Sequence, residues 1–253
     1  MSFKVVIPAR YASTRLPAKA VLEIAGRPML QWVIRAAERS RADEVIVATD
    51  DERVLRVALD SQERNVAVMT RSDHQSGTDR IAEVAVRQGW DDRTIVVNVQ
   101  GDEPQLPPVL IDQVAELLEQ HPDAAIATLC TPITSLHEFL DPNVVKVVTA
   151  RGTDAMYFSR APIPWHRDGA AQGLMSQTSI LGSQRHLGIY AYRVAALRKV
   201  TSLPPSDLEI IEKLEQLRAL QAGLRIVVGC ARETPGIGVD TPHDLERVRA
   251  QML

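Results

Sequence analysis

The chain has 253 residues, 45% of them hydrophobic and 24% charged, and 29 lysines and arginines against 32 acids leave a formal charge of −3. That balance excludes a general nucleic-acid coat and a polybasic membrane surface, and no apolar run is long enough to span a bilayer. The apolar run ahead of Arg10 is too short for a signal-peptide core, Cys130 and Cys230 lack C-x-x-C spacing and suit unpaired thiols in a reducing cytoplasm, and no disordered linker divides the chain, which predicts one domain over residues 1–253.

The first predicted strand, Val5 to Ile7, runs directly into Pro8-Ala9-Arg10-Tyr11-Ala12-Ser13-Thr14-Arg15-Leu16-Pro17-Ala18-Lys19, and no acid occurs before Glu23. Arg10, Arg15, Lys19 and the adjacent hydroxyls of Ser13 and Thr14, with Pro8 and Pro17 limiting the loop's freedom, are suited to neutralise several phosphate charges. The loop therefore predicts polyphosphate binding and points to nucleotide chemistry.

Beyond it, apolar side chains at three- and four-residue spacing predict helices over Pro28 to Ser40, Asp51 to Asp60, Ser76 to Gly89 and Pro107 to His121, with Pro28 and Pro107 in first-turn positions. Between them Glu44 to Thr49, Val66 to Thr70 and Thr94 to Val99 read as strands. The alternation predicts an α/β fold, a mainly parallel sheet covered by helices. In such sheets chemistry gathers at the carboxyl ends of the strands. After the second strand come Asp50 and Asp51, read as a helix cap. After the third, Thr70-Arg71-Ser72-Asp73-His74-Gln75-Ser76-Gly77-Thr78 offers hydroxyls and free N–H groups to a base or ribose, or Ser76 simply caps the helix. After the fourth, Asn98-Val99-Gln100-Gly101-Asp102-Glu103-Pro104 ends in two acids. Asp102 beside a polyphosphate loop is a candidate Mg²⁺ ligand, the competing reading being an ordinary Gly-Asp turn.

The second half changes rhythm. Ala124 to Thr131, Val144 to Thr149, Ala155 to Ser159 and Leu187 to Tyr192 read as strands with few helices between them, which predicts mixed or antiparallel pairing. Arg167 to Ser183, rich in Gly, Gln and Ser, predicts a mobile excursion. In Gln184-Arg185-His186-Leu187-Gly188-Ile189-Tyr190, alternation places His186, Gly188 and Tyr190 on one face, beside a ligand or in the core. A helix from about Asp207 to Ala222, a strand from Arg225 to Cys230 and a closing helix from about Pro242 complete the chain. Asp240, in Gly238-Val239-Asp240-Thr241-Pro242, is a second candidate metal ligand or a helix cap. There is no G-x-x-x-x-G-K-[ST], no third glycine after Gly236-Ile237-Gly238, no G-x-S-x-G and no H-E-x-x-H, so P-loop, Rossmann, hydrolase-elbow and zincin chemistry are unsupported.

In chain order, the segments Ile7 to Pro17, Thr70 to Thr78, Asn98 to Pro104, Asn143 to Val148, Tyr157 to Trp165, Arg185 to Tyr190, Leu214 to Arg218 and Gly238 to Pro242 resemble the 3-deoxy-manno-octulosonate cytidylyltransferase family. The resemblance implies a three-layer α/β/α nucleotidyltransferase (nucleotide-diphospho-sugar transferase) fold with a mainly parallel mixed sheet. It implies CMP transfer from CTP to 3-deoxy-D-manno-octulosonate (KDO), for lipopolysaccharide synthesis, with Mg²⁺. It implies phosphate contacts from Arg10, Ser13, Arg15 and Lys19, and a nucleotide pocket with Ala9, Arg71, Ser76 and Gly77. Asp102 and Asp240 would hold Mg²⁺, and together with Lys19 and Arg15 would form the catalytic set. Gln100, Arg160, His186, Tyr190, Glu215 and Gln216 would hold the sugar. A homodimer with a sugar-binding and dimerisation subregion around 140–222 follows from the same resemblance, whereas the charge balance, the thiols and the lack of a long apolar run predict a cytoplasmic location and no nucleic-acid or membrane partner. The alternatives are a cytidylyltransferase for amino-KDO or a sialic acid, and a catalytically silent nucleotide-binding protein. One departure stands at Ala18, where the family usually has glycine before the lysine; a positive φ there would cost about 1 kcal/mol.

Overall fold

The computed structural model describes residues 2–12, 16–61, 66–150, 152–169, 172–173 and 176–252. In chain order, β1 (Phe3–Pro8) leads through the cationic loop to a 3-10 turn (Lys19–Val21) and the short hairpin β2 (Glu23–Ile24) and β3 (Arg27–Pro28). Then follow α1 (Met29–Glu38), β4 (Glu44–Thr49), α2 (Glu52–Leu59), β5 (Val66–Met69), α3 (Gly77–Arg87), β6 (Ile95–Asn98) and α4 (Pro108–Gln120). The second half comprises β7 (Ile126–Pro132), α5 (Leu136–Leu140), β8 (Lys146–Ala150), β9 (Asp154–Ser159), β10 (Gln184–Arg193), α6 (Val194–Ser202), α7 (Asp207–Glu212), α8 (Gln216–Gln221), β11 (Ile226–Cys230) and α9 (Pro242–Met252).

The valine- and isoleucine-rich strands are buried on both faces, which is why they read as continuous apolar runs. Phe3, Val5 and Ile7 of β1 pack with Leu30, Val33 and Ile34 of α1 and Leu110 and Val114 of α4. Val6 and Ile46 face the opposite layer, with Ile81 and Val84 of α3, Leu197 of α6 and Leu217 of α8. The result is the three-layer α/β/α arrangement. Among the described residues one sheet runs β5-β4-β1-β6-β10-β7-β11-β9-β8. It is parallel from β5 to β6 and between β7 and β11, and antiparallel around β10, β8 and β9. Strand β8 pairs with β10 as well as β9, so the second half of the sheet closes back on itself.

Helix starts follow local chemistry. The Asp51 side chain accepts the Arg53 N–H at the head of α2, and Ser76 and Asp79 form a reciprocal capping box on α3, each cap contributing about 1 kcal/mol. Pro28 and Pro107 lie one residue before their helices, in extended conformation, and Pro108 is the first residue of α4. The continuous helix expected from Asp207 to Ala222 is not formed. Lys213 adopts a left-handed conformation with φ of 54° and divides it into α7 and α8. The excursion expected between Arg167 and Ser183 falls partly outside the described residues, and its described part is anchored: Gln177 is 1% exposed and the Thr178 N–H donates to the Gly169 carbonyl at 2.9 Å.

Candidate active site

Loops leaving the carboxyl ends of β1 and β6 meet the loop that precedes α9. Gly101 lets the β6 loop cross the end of β1, since a Cβ there would come within 3.2 Å of the Pro8 carbonyl oxygen. The Val239 N–H donates to the Asp102 carbonyl at 2.9 Å and ties the third loop to the second. Thr241 and Asp244 cap α9 reciprocally, the Asp244 N–H donating to Thr241 Oγ1 at 3.2 Å and the Thr241 N–H to Asp244 Oδ2 at 2.9 Å. The capping role is thus taken, and the Asp240 carboxylate is turned to Lys19.

Lys19 Nζ lies 2.6 Å from Asp102 Oδ2 and 3.1 Å from Asp240 Oδ1. Burial pulls its ammonium down, but Asp102 and then Asp240 outweigh that, and its pKa lies above the ordinary lysine value. The three side chains line a cleft of about 440 Å³ with Ala9, Arg10 and Gln100. Arg10 also donates to the Gln75 carbonyl at 3.0 Å, tying the cationic loop to the Thr70–Thr78 segment. Ser13 and Arg15, the other members of the expected phosphate set, lie outside the described residues.

Gln100 is shared by two further cavities. One, of about 180 Å³, is lined by Gly77, Thr78, Asn98, Tyr190, Tyr192, Glu215 and Gln216. Here the division of α7 from α8 has its effect. Glu215 precedes α8 and reaches the first turn of α3, accepting from Thr78 Oγ1 at 2.9 Å and standing 3.0 Å from Ser76 Oγ. Burial raises the Glu215 pKa despite the hydrogen bonds from Thr78 and Ser76. Gln216 is 8% exposed and its buried Nε2 has no acceptor among the described residues, a donor that a ligand oxygen would satisfy. Gly77 fits against Pro8, whose Cγ would lie 3.2 Å from an added Cβ.

The other cavity, about 50 Å³, is lined by Gln100, Glu103, Arg185, His186 and Gly188. Glu103 is pushed up to about 7 by burial and then by the charge of Asp102. His186 is pulled down to about 3 by burial, with a smaller push from Arg185. Its ring stands edge-on to Phe158 at 4.9 Å and 5.3 Å from the Tyr190 ring, the shared face that alternation predicts.

Two expected residues stand apart. The Arg71 guanidinium pairs with Asp73 and lines a separate groove between α3 and α6. Arg160 spends its guanidinium on the carbonyls of Glu212 at 2.7 Å and Pro142 at 2.9 Å and is not among the residues lining the three cavities. Sequence reasoning missed Thr78, Asn98 and Tyr192. The first two lie within segments already singled out, and Tyr192 continues the face of His186 and Tyr190 by one more step of two.

A family model described as cytidylyltransferase matches residues 4–226. A protein of Thioalkalivibrio sulfidiphilus named 3-deoxy-manno-octulosonate cytidylyltransferase is 54% identical over 248 residues, covering 98% of each chain. One of the same name from Alcanivorax borkumensis is 51% identical over 254 residues, covering 100% of this chain and 99% of its own. A solved structure titled CMP:2-keto-3-deoxy-manno-octonic acid synthetase complexed with CTP superposes with a TM-score of 0.87 at 42% identity, covering 99% of this chain and 98% of that one.

Proposed function

The chain belongs to the cytidylyltransferases, among the 3-deoxy-manno-octulosonate cytidylyltransferases, and from that premise we infer that it transfers CMP from CTP to KDO and releases pyrophosphate. In this reading the anomeric hydroxyl of KDO attacks the α-phosphate. A P–O bond forms to the sugar, the bond to pyrophosphate breaks with its electron pair going to the pyrophosphate oxygen, and the hydroxyl proton passes to solvent. No covalent enzyme intermediate is required, so the protein's contribution is alignment and charge.

The observation that carries the reading is the cation held between two carboxylates in a cleft that shares Gln100 with two further cavities. Lys19, with Arg10, Ser13 and Arg15, would neutralise the triphosphate, and Ala9, Arg71, Ser76 and Gly77 would seat the nucleoside. Asp102 and Asp240 fit Mg²⁺. Both are hard oxygen donors close enough to share one cation, Lys19 Nζ, and Mg²⁺ commonly takes one or two carboxylates and completes its shell with water and phosphate oxygens. Bound there, it would offset phosphate charge and lower the pKa of the attacking hydroxyl. Gln100, Tyr190, Glu215 and Gln216, with His186, would pair with sugar hydroxyls that would otherwise be buried unsatisfied. For Arg160 to reach the sugar carboxylate it would have to exchange its carbonyl partners for the carboxylate, a stronger charge-assisted pairing.

Among the described residues no helix is long and apolar enough to cross a membrane. A cytoplasmic location is supported by the two free thiols, Cys130 and Cys230, and by a reaction that consumes CTP. One assay tests the reading: pyrophosphate release from CTP and Mg²⁺, with KDO or a sialic acid as acceptor, for the wild type and Asp102→Asn. Release is expected with KDO only, falling by orders of magnitude in the variant. No release with KDO overturns the assignment, and full activity in Asp102→Asn overturns the metal site.

A further inference from the structure

Thr128, in the middle of β7 and fully buried, lies opposite the point where β10 exchanges one neighbour for another. At Gln184 and Arg185, β10 lies between β7 and β8; from Tyr190 onward it lies between β7 and β6. The exchange inserts two residues, since Leu187 faces Leu129 while Tyr190 faces Thr128. Two surplus residues keep the side-chain alternation in phase, so the bulge bends the strand without moving His186 off the face of Tyr190. It also brings the carbonyl oxygens of Leu187 and Ile189 to 3.1 Å and 2.8 Å from Thr128 Oγ1, and His186 Nε2 to 3.0 Å from the same atom.

A hydroxyl has one proton and two lone pairs. Carbonyl oxygens only accept, so the proton is directed to them, and Oγ1 meets the His186 nitrogen as an acceptor. Nε2 must then carry a hydrogen. We propose that Thr128 is a positioning residue that fixes His186 as the Nε2–H tautomer and thereby presents Nδ1 as a hydrogen-bond acceptor for a hydroxyl of the sugar substrate. Nδ1 makes no hydrogen bond to a described residue and is not among the sealed polar atoms without a partner. It is therefore not sealed from solvent, and His186 lines the cavity that it shares with Gln100, Glu103, Arg185 and Gly188. Burial and the neighbouring Arg185 hold the ring neutral, so the lone pair on Nδ1 persists at working pH. The inference rests on the reading of His186 as part of the sugar site.

Nitrogen NMR of protein labelled with ¹⁵N-histidine tests it, the His186 signals being assigned by their loss in His186→Gln. The expected spectrum, without substrate, shows a protonated Nε2 and a bare Nδ1; a protonated Nδ1 overturns the proposal. Thr128→Val removes the acceptor at nearly constant shape. It should mix the tautomers and raise the KM for KDO about tenfold, with kcat and the KM for CTP nearly unchanged, while Thr128→Ser restores both spectrum and KM. If Thr128→Val does not fold, the wild-type and Thr128→Ser spectra still decide. A KM for KDO unmoved in Thr128→Val, with the tautomers mixed, overturns the positioning role. If His186→Gln leaves that KM unmoved as well, the sugar-site reading has failed, an outcome separate from the tautomer result.

Discussion

Ala18 shows how a single residue conditions the cationic loop. Its φ of 59° and ψ of 21° are left-handed, so the positive angle that the departure from glycine raised as a concern is present. An L-residue pays about 1–2 kcal/mol there, whereas glycine would lose about 0.5–1 kcal/mol more backbone entropy on folding. The first term is the larger. What holds the strained residue is its setting: its N–H donates to the Tyr11 carbonyl at 3.2 Å, its carbonyl accepts from Val21 at 2.9 Å, and the next ammonium is fixed by Asp102 and Asp240. Ala18→Gly should therefore raise the urea midpoint by an amount equivalent to about 0.5–1 kcal/mol and leave the KM for CTP within about twofold. A lower midpoint would show that the loop is not strained, and a large rise in KM would show that the restricted φ itself aims Lys19.

At the level of elements, the contact between the first turn of α3 and the head of α8 joins the segment read as nucleotide-binding to the segment read as sugar-binding. Ser76 has one hydroxyl proton and two carboxylates within reach, Asp79 Oδ2 at 2.9 Å and Glu215 Oε1 at 3.0 Å, while Thr78 Oγ1 lies 2.9 Å from Glu215 Oε2 and also interacts with the Tyr192 hydroxyl. Removing the Thr78 hydroxyl leaves a half-buried carboxylate short of a partner, at a cost of about 1–3 kcal/mol. Thr78→Val should accordingly raise the KM for KDO between about 5-fold and 150-fold, and a KM raised equally for CTP would place Glu215 with the nucleotide instead. The partners of Glu215 were not legible in the sequence, because Glu212-Lys213-Leu214-Glu215-Gln216 reads as the exposed face of one continuous helix. Tertiary contacts override that propensity: the Glu212 carboxylate accepts from Ser159 Oγ and the Arg160 N–H, and its carbonyl accepts from Arg160 Nε, which stops α7 and turns the chain at Lys213. The parallel strands were legible because burial on both faces forces uninterrupted valine and isoleucine. The bulge of β10 was not, because Gly188 alone does not reveal which strand lies on either side.

For the whole molecule, the cleft could be read from its acids and cations, because charges at strand ends carry their chemistry in their residue type. The meeting of three cavities at Gln100 could not, since it depends on β10 lying antiparallel beside β6. Strand β8 meets β10 at Lys146 and Val147 and β9 meets β11 at Asp154, so the closure of the sheet covers one end of each strand in the subregion around 140–222 and leaves the rest of their outer edges unpaired among the described residues. Five residues of that subregion are exposed large hydrophobes, Met156, Trp165, Ile210, Ile211 at 76% exposure and Leu181 at 80%. Isolated surface hydrophobes are ordinary, but several within one subregion mark an interaction surface. The expected occupant is a second copy of the chain, because a two-fold axis would present the same side chains from both sides. Sedimentation of the wild type should therefore give twice the chain mass, and Ile211→Glu should shift it toward the single-chain mass with an unchanged far-ultraviolet spectrum. A wild type that sediments as one chain at micromolar concentration would refute the dimer. A variant that remains paired would move the interface off this surface.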